Sequence, residues 1–191
     1  MSRLAASFVL GYHGCDADVA AKVVACETFL VPSDKAYDWL GPGIYFWEAD
    51  PERAWRWAVE RCAERGTEPA VVGAAIDLGY CLDLLSSSGQ ALVRDAYESL
   101  VELYKAAGKK MPENSNSARG GDTDRRLRKL DCAVIRNLHD EASEQPFDTV
   151  RGMFTEGEPI YPESGFYSQS HVQIAVRNLD CLKGVFLVPN P

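Results

Sequence analysis

The chain has 191 residues, 46% of them apolar and 25% charged, with a formal net charge of −8 at neutral pH. That length and balance belong to one ordinary globular domain, and they exclude a fibrous, a disordered or a disulfide-stapled miniature chain. The acidity argues against non-specific nucleic-acid binding and more firmly against a membrane-surface role, although a local basic patch leaves RNA or DNA open as a substrate.

The opening stretch MSRLAASFVLGYHG has one Arg and a short apolar run that leads into His13 with no cleavage-like site. It reads as a first strand from Ser7 to Tyr12, not as a signal peptide. Asp16 or Asp18 then offers an N-cap for a helix through Ala20, Val23, Val24 and Phe29, which Pro32 and Ser33 stop. Gly41-Pro42-Gly43 forms a turn, and Ile44 to Trp47 reads as a strand after it. Asp50-Pro51, a capping Asp before Pro at the first helical position, starts a helix to about Glu64, and Gly66 ends it. Ala70 to Leu78 is a strand rich in small and branched residues. Gln90 to Ala107 is an amphipathic helix with Leu92, Ala96, Leu100, Leu103 and Tyr104 on one side.

The segment Lys109 to Asp122 is polar and rich in Gly and Asn, and it is expected to be a mobile loop. A helix from about Asp124 to Glu141 follows, with Leu127, Leu130, Val134, Ile135 and Leu138 inward. Thr149 to Phe154 is a further strand, and Glu156 to Gly165 is a loop. His171 to Val176 and Val185 to Val188 read as two strands joined by a short connection. The sum is an α+β pattern without regular βαβ alternation. No Rossmann or P-loop glycine fingerprint is present, nor HEXXH, GxSxG or kinase motifs.

The six cysteines (Cys15, Cys26, Cys62, Cys81, Cys132 and Cys181) are scattered, without a CxxC pair or metal-like spacing. They are expected to be reduced and buried in a cytoplasmic chain that holds no metal. No stretch is long enough to span a bilayer.

Three segments carry chemistry. Gly11-Tyr12-His13-Gly14, at the end of the first strand, sets an imidazole beside an open backbone that a flat amide can approach. Taken alone, this is a His ending a strand before a turn. Asp38 to Trp47 holds four aromatic residues within nine positions around the Gly-Pro-Gly turn, which makes stacking walls for a planar ligand or a hydrophobic core strand. By alternation Tyr45 and Trp47 share one face, and Ile44 and Phe46 the other. In Ser170 to Val176, His171, Gln173 and Ala175 alternate with Val172, Ile174 and Val176. That is a half-buried strand whose polar side suits either a cleft floor or solvent.

Together, His13-Gly14, then Gly41-Pro42-Gly43-Ile44-Tyr45-Phe46, then a late strand with Gln173 and the trailing Leu182-Lys183-Gly184-Val185-Phe186 resemble the ADP-ribosyltransferase superfamily. The nearer branch is the poly(ADP-ribose)-polymerase-like one, with a His, a Tyr and a Glu on three strands. The resemblance covers roughly residues 8–60 and 165–188. It implies a split β-sheet core with flanking and inserted helices, in one domain. NAD would be the substrate, with no metal, and ADP-ribose would pass singly to a macromolecular acceptor, protein or nucleic acid. It also implies His13 on a ribose hydroxyl, the Gly14 main chain on the nicotinamide carboxamide, Gly43 in the tyrosine motif, and Tyr45 stacked on the nicotinamide ring. Trp57 would cover the ring from the next helix, one position off the family spacing, with Trp55 behind it. His171, two residues before Gln173, would contact the acceptor or support Gln173.

Gln173 stands where the branch has its glutamate. An amide can bond a hydroxyl but carries no charge and cannot act as a base, which disfavours polymer elongation. Glu156, Glu158 and Glu163 in the preceding loop are candidate substitutes, or else a solvated acidic loop. NAD glycohydrolysis and non-catalytic NAD or ADP-ribose binding are the competing readings. A bacterial toxin or defence effector, with an inhibitory partner protein, fits the superfamily resemblance. Arg125, Arg126, Arg128 and Lys129 form a basic cluster at a helix start, read as a solvated face. His139 lies near that helix's end, where a cation suits the dipole, and takes no catalytic role.

Overall fold

The structure is a computed structural model that describes residues 8–116 and 127–189. Seven strands form one mixed sheet: β1 (Phe8–Asp16), β2 (Ile44–Glu48), β3 (Pro69–Asp77), β4 (Cys81–Asp83), β7 (Thr149–Phe154), β8 (His171–Val176) and β9 (Leu182–Val188). Their spatial order is β4-β7-β8-β2-β1-β3-β9. Every neighbouring pair is antiparallel except β4 with β7. Four helices accompany them: α1 (Ala17–Val24), α2 (Pro51–Ala63), α3 (Ser87–Ala106) and α4 (Lys129–Glu141). A two-stranded ribbon pairs β5 (Asn114–Ser115) with β6 (Leu127–Arg128). Mixed α/β architecture with a central sheet is therefore as expected.

Local sequence explains most boundaries. Asp50 caps α2 by accepting from the Arg53 N–H at 2.9 Å, with Pro51 at the first helical position. Ser86 caps α3 in the same way through Gly89; losing such a cap costs about 0.5–2 kcal/mol. Gly66, just past α2, has φ +68°, a left-handed conformation that suits glycine.

Several expectations need correction. β1 does not end at Tyr12; it runs on through His13 and Gly14 to Asp16. α1 stops at Val24, well short of Phe29, with Cys26 at φ 59° just beyond it. The expected helix from Asp124 starts only at Lys129, and β6 occupies the two residues before it. Residues 124–126, with Arg125 and Arg126, lie outside the described residues, as does the 117–122 part of the expected loop. β8 and β9 are not paired: β8 sits between β7 and β2, and β9 forms the far edge on β3.

The sheet is covered on both faces. On one, Ile44, Phe46, Val72, Ala74, Ile76, Ile174 and Val176 pack with Ala20 and Val23 of α1. On the other there are two separate apolar clusters. One joins Val150 and Ala175 of the sheet to α3 and α4, with Tyr45 against it. The second joins Trp47 and Val71 to Ala54 of α2. Phe46, Ile44 and Ile174 are at most 1% exposed, and each such side chain contributes about 1.5–3 kcal/mol by leaving water. Alternation along β2 therefore sorts its side chains as the sequence predicted.

All six cysteines are free; Cys62, Cys132 and Cys181 are buried, and Cys26 is exposed. Burial beside Asp16 and Cys62 pushes the Cys15 thiol up to about 12, which leaves it protonated and inert. No helix among the described residues is long and apolar enough to cross a membrane, and no group among them of three or more His, Cys, Asp or Glu could hold a metal ion.

Candidate functional site

His13, Tyr45 and Gln173 come from segments far apart in sequence, yet β1, β2 and β8 are consecutive strands of the sheet. Nine residues of β1 pair with β3, from Phe8 with Asp77 to Asp16 with Pro69. On its other side β1 pairs with β2 only at Gly11 with Glu48 and Tyr12 with Trp47. Beyond Tyr12 the two strands part.

What lies at the parting is specific. The His13 Nδ1–H donates to the Tyr45 carbonyl at 2.8 Å. Burial holds this imidazole below its ordinary pKa, so it is neutral at physiological pH. The Ala49 N–H donates to the Leu10 carbonyl at 2.9 Å on the β2 side of β1. Main-chain groups alternate sides along a strand, so those of Gly14 also face β2, past the last pair. A Cβ on Gly14 would sit 2.4 Å from the Ala54 carbonyl oxygen and 3.1 Å from the Ala58 Cβ. Glycine here lets α2 lie directly on β1.

Tyr45 is anchored through its hydroxyl. Its hydroxyl donates to the Gly41 carbonyl at 2.8 Å and accepts from the Leu40 N–H at 3.0 Å, which ties the Gly-Pro-Gly turn to β2. Burial raises this phenol well above its ordinary pKa, so it is a neutral hydrogen-bonding group rather than a base. Gly43 exchanges both main-chain hydrogen bonds with Ser33, and a Cβ there would meet the Val176 carbonyl at 2.9 Å. Its place is in the turn, with its main chain already engaged.

Gln173 lies opposite Trp47 across β2 and β8. It falls at the seam between the two clusters of that face, and it is half-buried. Its Oε1 accepts from the Trp39 indole N–H at 2.8 Å. An indole N–H only donates, so this bond orients the amide: the oxygen faces Trp39 and the NH2 is left to donate. The sequence offered no sign of this pairing beyond the density of aromatics around the turn. Trp39 also packs edge-on against Phe154 and over Gly152. It also helps to wall a cavity of about 440 Å³ between α3 and α4, with Val93, Arg94, Tyr97, Leu130 and Ile135.

Of the three loop glutamates, only Glu156 reaches this region. It is 6% exposed and pairs with the Arg53 guanidinium of α2 at 3.0 Å; Glu158 and Glu163 are exposed. His171 shares the face of Gln173 and stacks on Phe154. It also touches Trp47, with ring centroids 6.2 Å apart. Its Nδ1–H donates to the Gln169 carbonyl at 2.7 Å. Burial lowers its pKa, with the Gln169 carbonyl and Glu156 opposing the shift and Arg53 adding to it. Trp57 packs on Trp47, centroids 5.8 Å apart, under the Arg61 guanidinium; Trp55 belongs to the same cluster.

The expected triad is therefore divided between the two faces of the sheet. His13 is tied to the Tyr45 main chain. By alternation, however, His13 stands with Val72 on the α1 face, whereas Tyr45, His171 and Gln173 stand on the other. Arg128 of the basic cluster lies 4.7 Å above the Phe154 ring and pairs with Asp131, so it is no simple solvated cation. His139 is also corrected. It is 7% exposed, and burial near Arg177 lowers it to about 4, so it is a neutral core residue and not a cation at the helix end.

Comparison with known protein families, with curated proteins and with solved structures returned no match.

Proposed function

We propose that the chain is an NAD-dependent mono-ADP-ribosyltransferase, acting at the parting of β1 and β2 and the adjoining seam on β8. The observation that carries this reading is the juxtaposition of three motifs on three consecutive strands, β1, β2 and β8, with β1 and β2 open beyond Tyr12. A sheet opened at that point is what the resemblance to the ADP-ribosyltransferase superfamily asks of a split core.

In this reading the Gly14 main chain supplies a donor and an acceptor for a carboxamide, and His13 contributes the ring nitrogen that Tyr45 leaves unused. Cleaving the nicotinamide–ribose bond builds positive charge on the sugar, which a nearby anion would stabilise. Gln173 offers only N–H donors, so it can bind a ribose oxygen without supplying that charge. The consequence is a slow, single transfer.

The test is incubation with labelled NAD and pools of protein, RNA and DNA. Label fixed on a macromolecule is the expected result. Free ADP-ribose alone would make the chain a glycohydrolase, and intact NAD with measurable binding would make it a binding module. Gln173→Glu is expected to raise NAD consumption, because a carboxylate keeps one oxygen on Trp39 and turns a charged oxygen to the seam. If Gln173→Glu binds NAD and leaves consumption unchanged, Gln173 is misplaced in the mechanism.

A further inference from the structure

The walls of the cavity of about 440 Å³ between α3 and α4 are fixed by the protein's own contacts. Trp39 is held by its bond to Gln173 at 2.8 Å and by the Phe154 ring, with centroids 3.6 Å apart. It also lies over Gly152, where a Cβ would come within 3.0 Å of the indole. Leu84 donates its N–H to the Arg151 carbonyl at 2.8 Å. The Leu84 carbonyl in turn accepts from the Gln90 side-chain amide at 3.0 Å. Val134 and Ile135 of α4 complete the apolar lining and are 4% and 2% exposed. A site set before binding spends little on ordering its walls. Its volume and mainly apolar lining are those of a small-molecule site.

The polar groups on the lining narrow what fits. Its three charged residues are Arg94, Arg128 and Asp131. Arg128 and Asp131 pair with each other at 3.4 Å, and Asp131 also accepts from Asn114 Nδ2 at 2.8 Å. Arg94 makes no ion pair among the described residues, and the Tyr97 hydroxyl makes no hydrogen bond among them. The two stand three positions apart on α3 and so share one face of it. A guanidinium offers two parallel N–H donors that match a carboxylate, and a hydroxyl adds a third donor. An ammonium would face Arg94. A phosphate, with nearly two charges, would bring the second of them toward Asp131. The Trp39 and Tyr97 rings, set against aliphatic side chains, suit a flat apolar body.

We propose that this cavity is a binding site for a small aromatic carboxylate, with its ring against Trp39, Val134 and Ile135 and its carboxylate on Arg94 and Tyr97. The assignment rests on charge complementarity: one uncommitted cation at the rim of an apolar cavity, in a chain whose net charge of −8 otherwise repels anions. It is independent of the transfer reading, since it needs neither NAD nor any residue of the β1 and β2 parting.

The experiment titrates the full chain, without NAD, with naphthoate, with its amide and with naphthyl phosphate, by calorimetry. Naphthoate is expected to bind with a Kd below about 1 mM, a modest demand on a ligand of its size. It is expected to bind about tenfold or more tighter than the amide, as a hydrogen bond to a charged group requires, and tighter than the phosphate. Arg94→Gln, at an exposed position, is expected to bring the acid down to the affinity of the amide and to leave the melting temperature unchanged. Val93→Trp, which sets an indole into the cavity, is expected to abolish binding of both. Naphthoate that fails to bind by about 1 mM, or that binds no better than its amide, overturns the proposal, and neither result needs a variant to fold. Tighter binding of the phosphate overturns it as well. So does an Arg94→Gln protein that keeps the preference for the acid, or a folded Val93→Trp protein that still binds it, because the anion then sits elsewhere.

Discussion

The two margins of β1 differ sharply. Toward β3 it pairs along its whole length, nine residues, while toward β2 it pairs at two. The chain that pairs so well on one side is able to pair on the other, so the opening is imposed from outside the strand. Two contacts impose it. α2 lies so close on Gly14 that no side chain fits there. The His13 ring takes the Tyr45 carbonyl, an acceptor that a continued ladder would have used. An open margin in the middle of a sheet leaves main-chain donors and acceptors without ladder partners at a cost in stability, which is expected where the strand edge serves a function.

The largest expected effect comes from closing the α2 contact. Gly14→Ala places a methyl against the Ala54 carbonyl, a main-chain atom that cannot rotate away. The expected loss is about 3 kcal/mol or more, at the top of the range for overpacking, together with loss of NAD turnover. Gly184→Ala on β9, where a Cβ meets nothing within 4 Å, is the matched control. Thermal unfolding of the two variants checks the difference. Equal melting temperatures would mean that α2 does not hold β1 open.

A smaller effect separates binding from tethering. In His13→Asn the side-chain amide can still donate to the Tyr45 carbonyl, whereas His13→Ala leaves that carbonyl without the bond. The alanine variant is expected to lose about 1 kcal/mol, a typical net hydrogen bond, and the asparagine variant to stay near wild type in urea unfolding. Both are expected to lose NAD turnover. If asparagine preserves turnover, the tether is all that His13 contributes.

The smallest effect at neutral pH lies away from the opening, at His139 in the α4 core. Its folded pKa of about 4 is below its ordinary 6.5, so the unfolded chain takes the proton first. Its share of stability is therefore complete above about pH 6.5 and is lost as pH falls toward 4. His139→Leu is expected to change little at neutral pH and to flatten the decline in melting temperature across that window. An unchanged decline would assign the acid sensitivity to other groups, among them His13 and His171, which burial also lowers.

Much of the outline was legible in the residues. Alternation in Ile44 to Trp47 sorted β2 correctly between the two faces, because a two-residue period needs only neighbours in sequence. The Asp50-Pro51 start of α2 and the bounds of β7 and β8 were readable for the same local reason. The end of β1 was not, since His13 to Asp16 stay extended only by pairing with residues 69–72 of β3. The separation of β8 from β9, two strands a few residues apart, also depended on partners distant in the chain.

By itself, the sequence determined the α+β composition, the faces of β2 and the residue types from which a site could be built. Only the tertiary structure decided which of them meet. It placed Gln173 on the Trp39 indole, and so made its amide a donor. It buried Glu156 on Arg53 while leaving Glu158 and Glu163 in water, and it paired the Gly43 main chain with Ser33. The reason is that propensity, capping and alternation act over a few residues, whereas a hydrogen bond such as that between Trp39 and Gln173 spans 134 positions. Its formation depends on how β8 and the turn before β2 are placed in the finished fold.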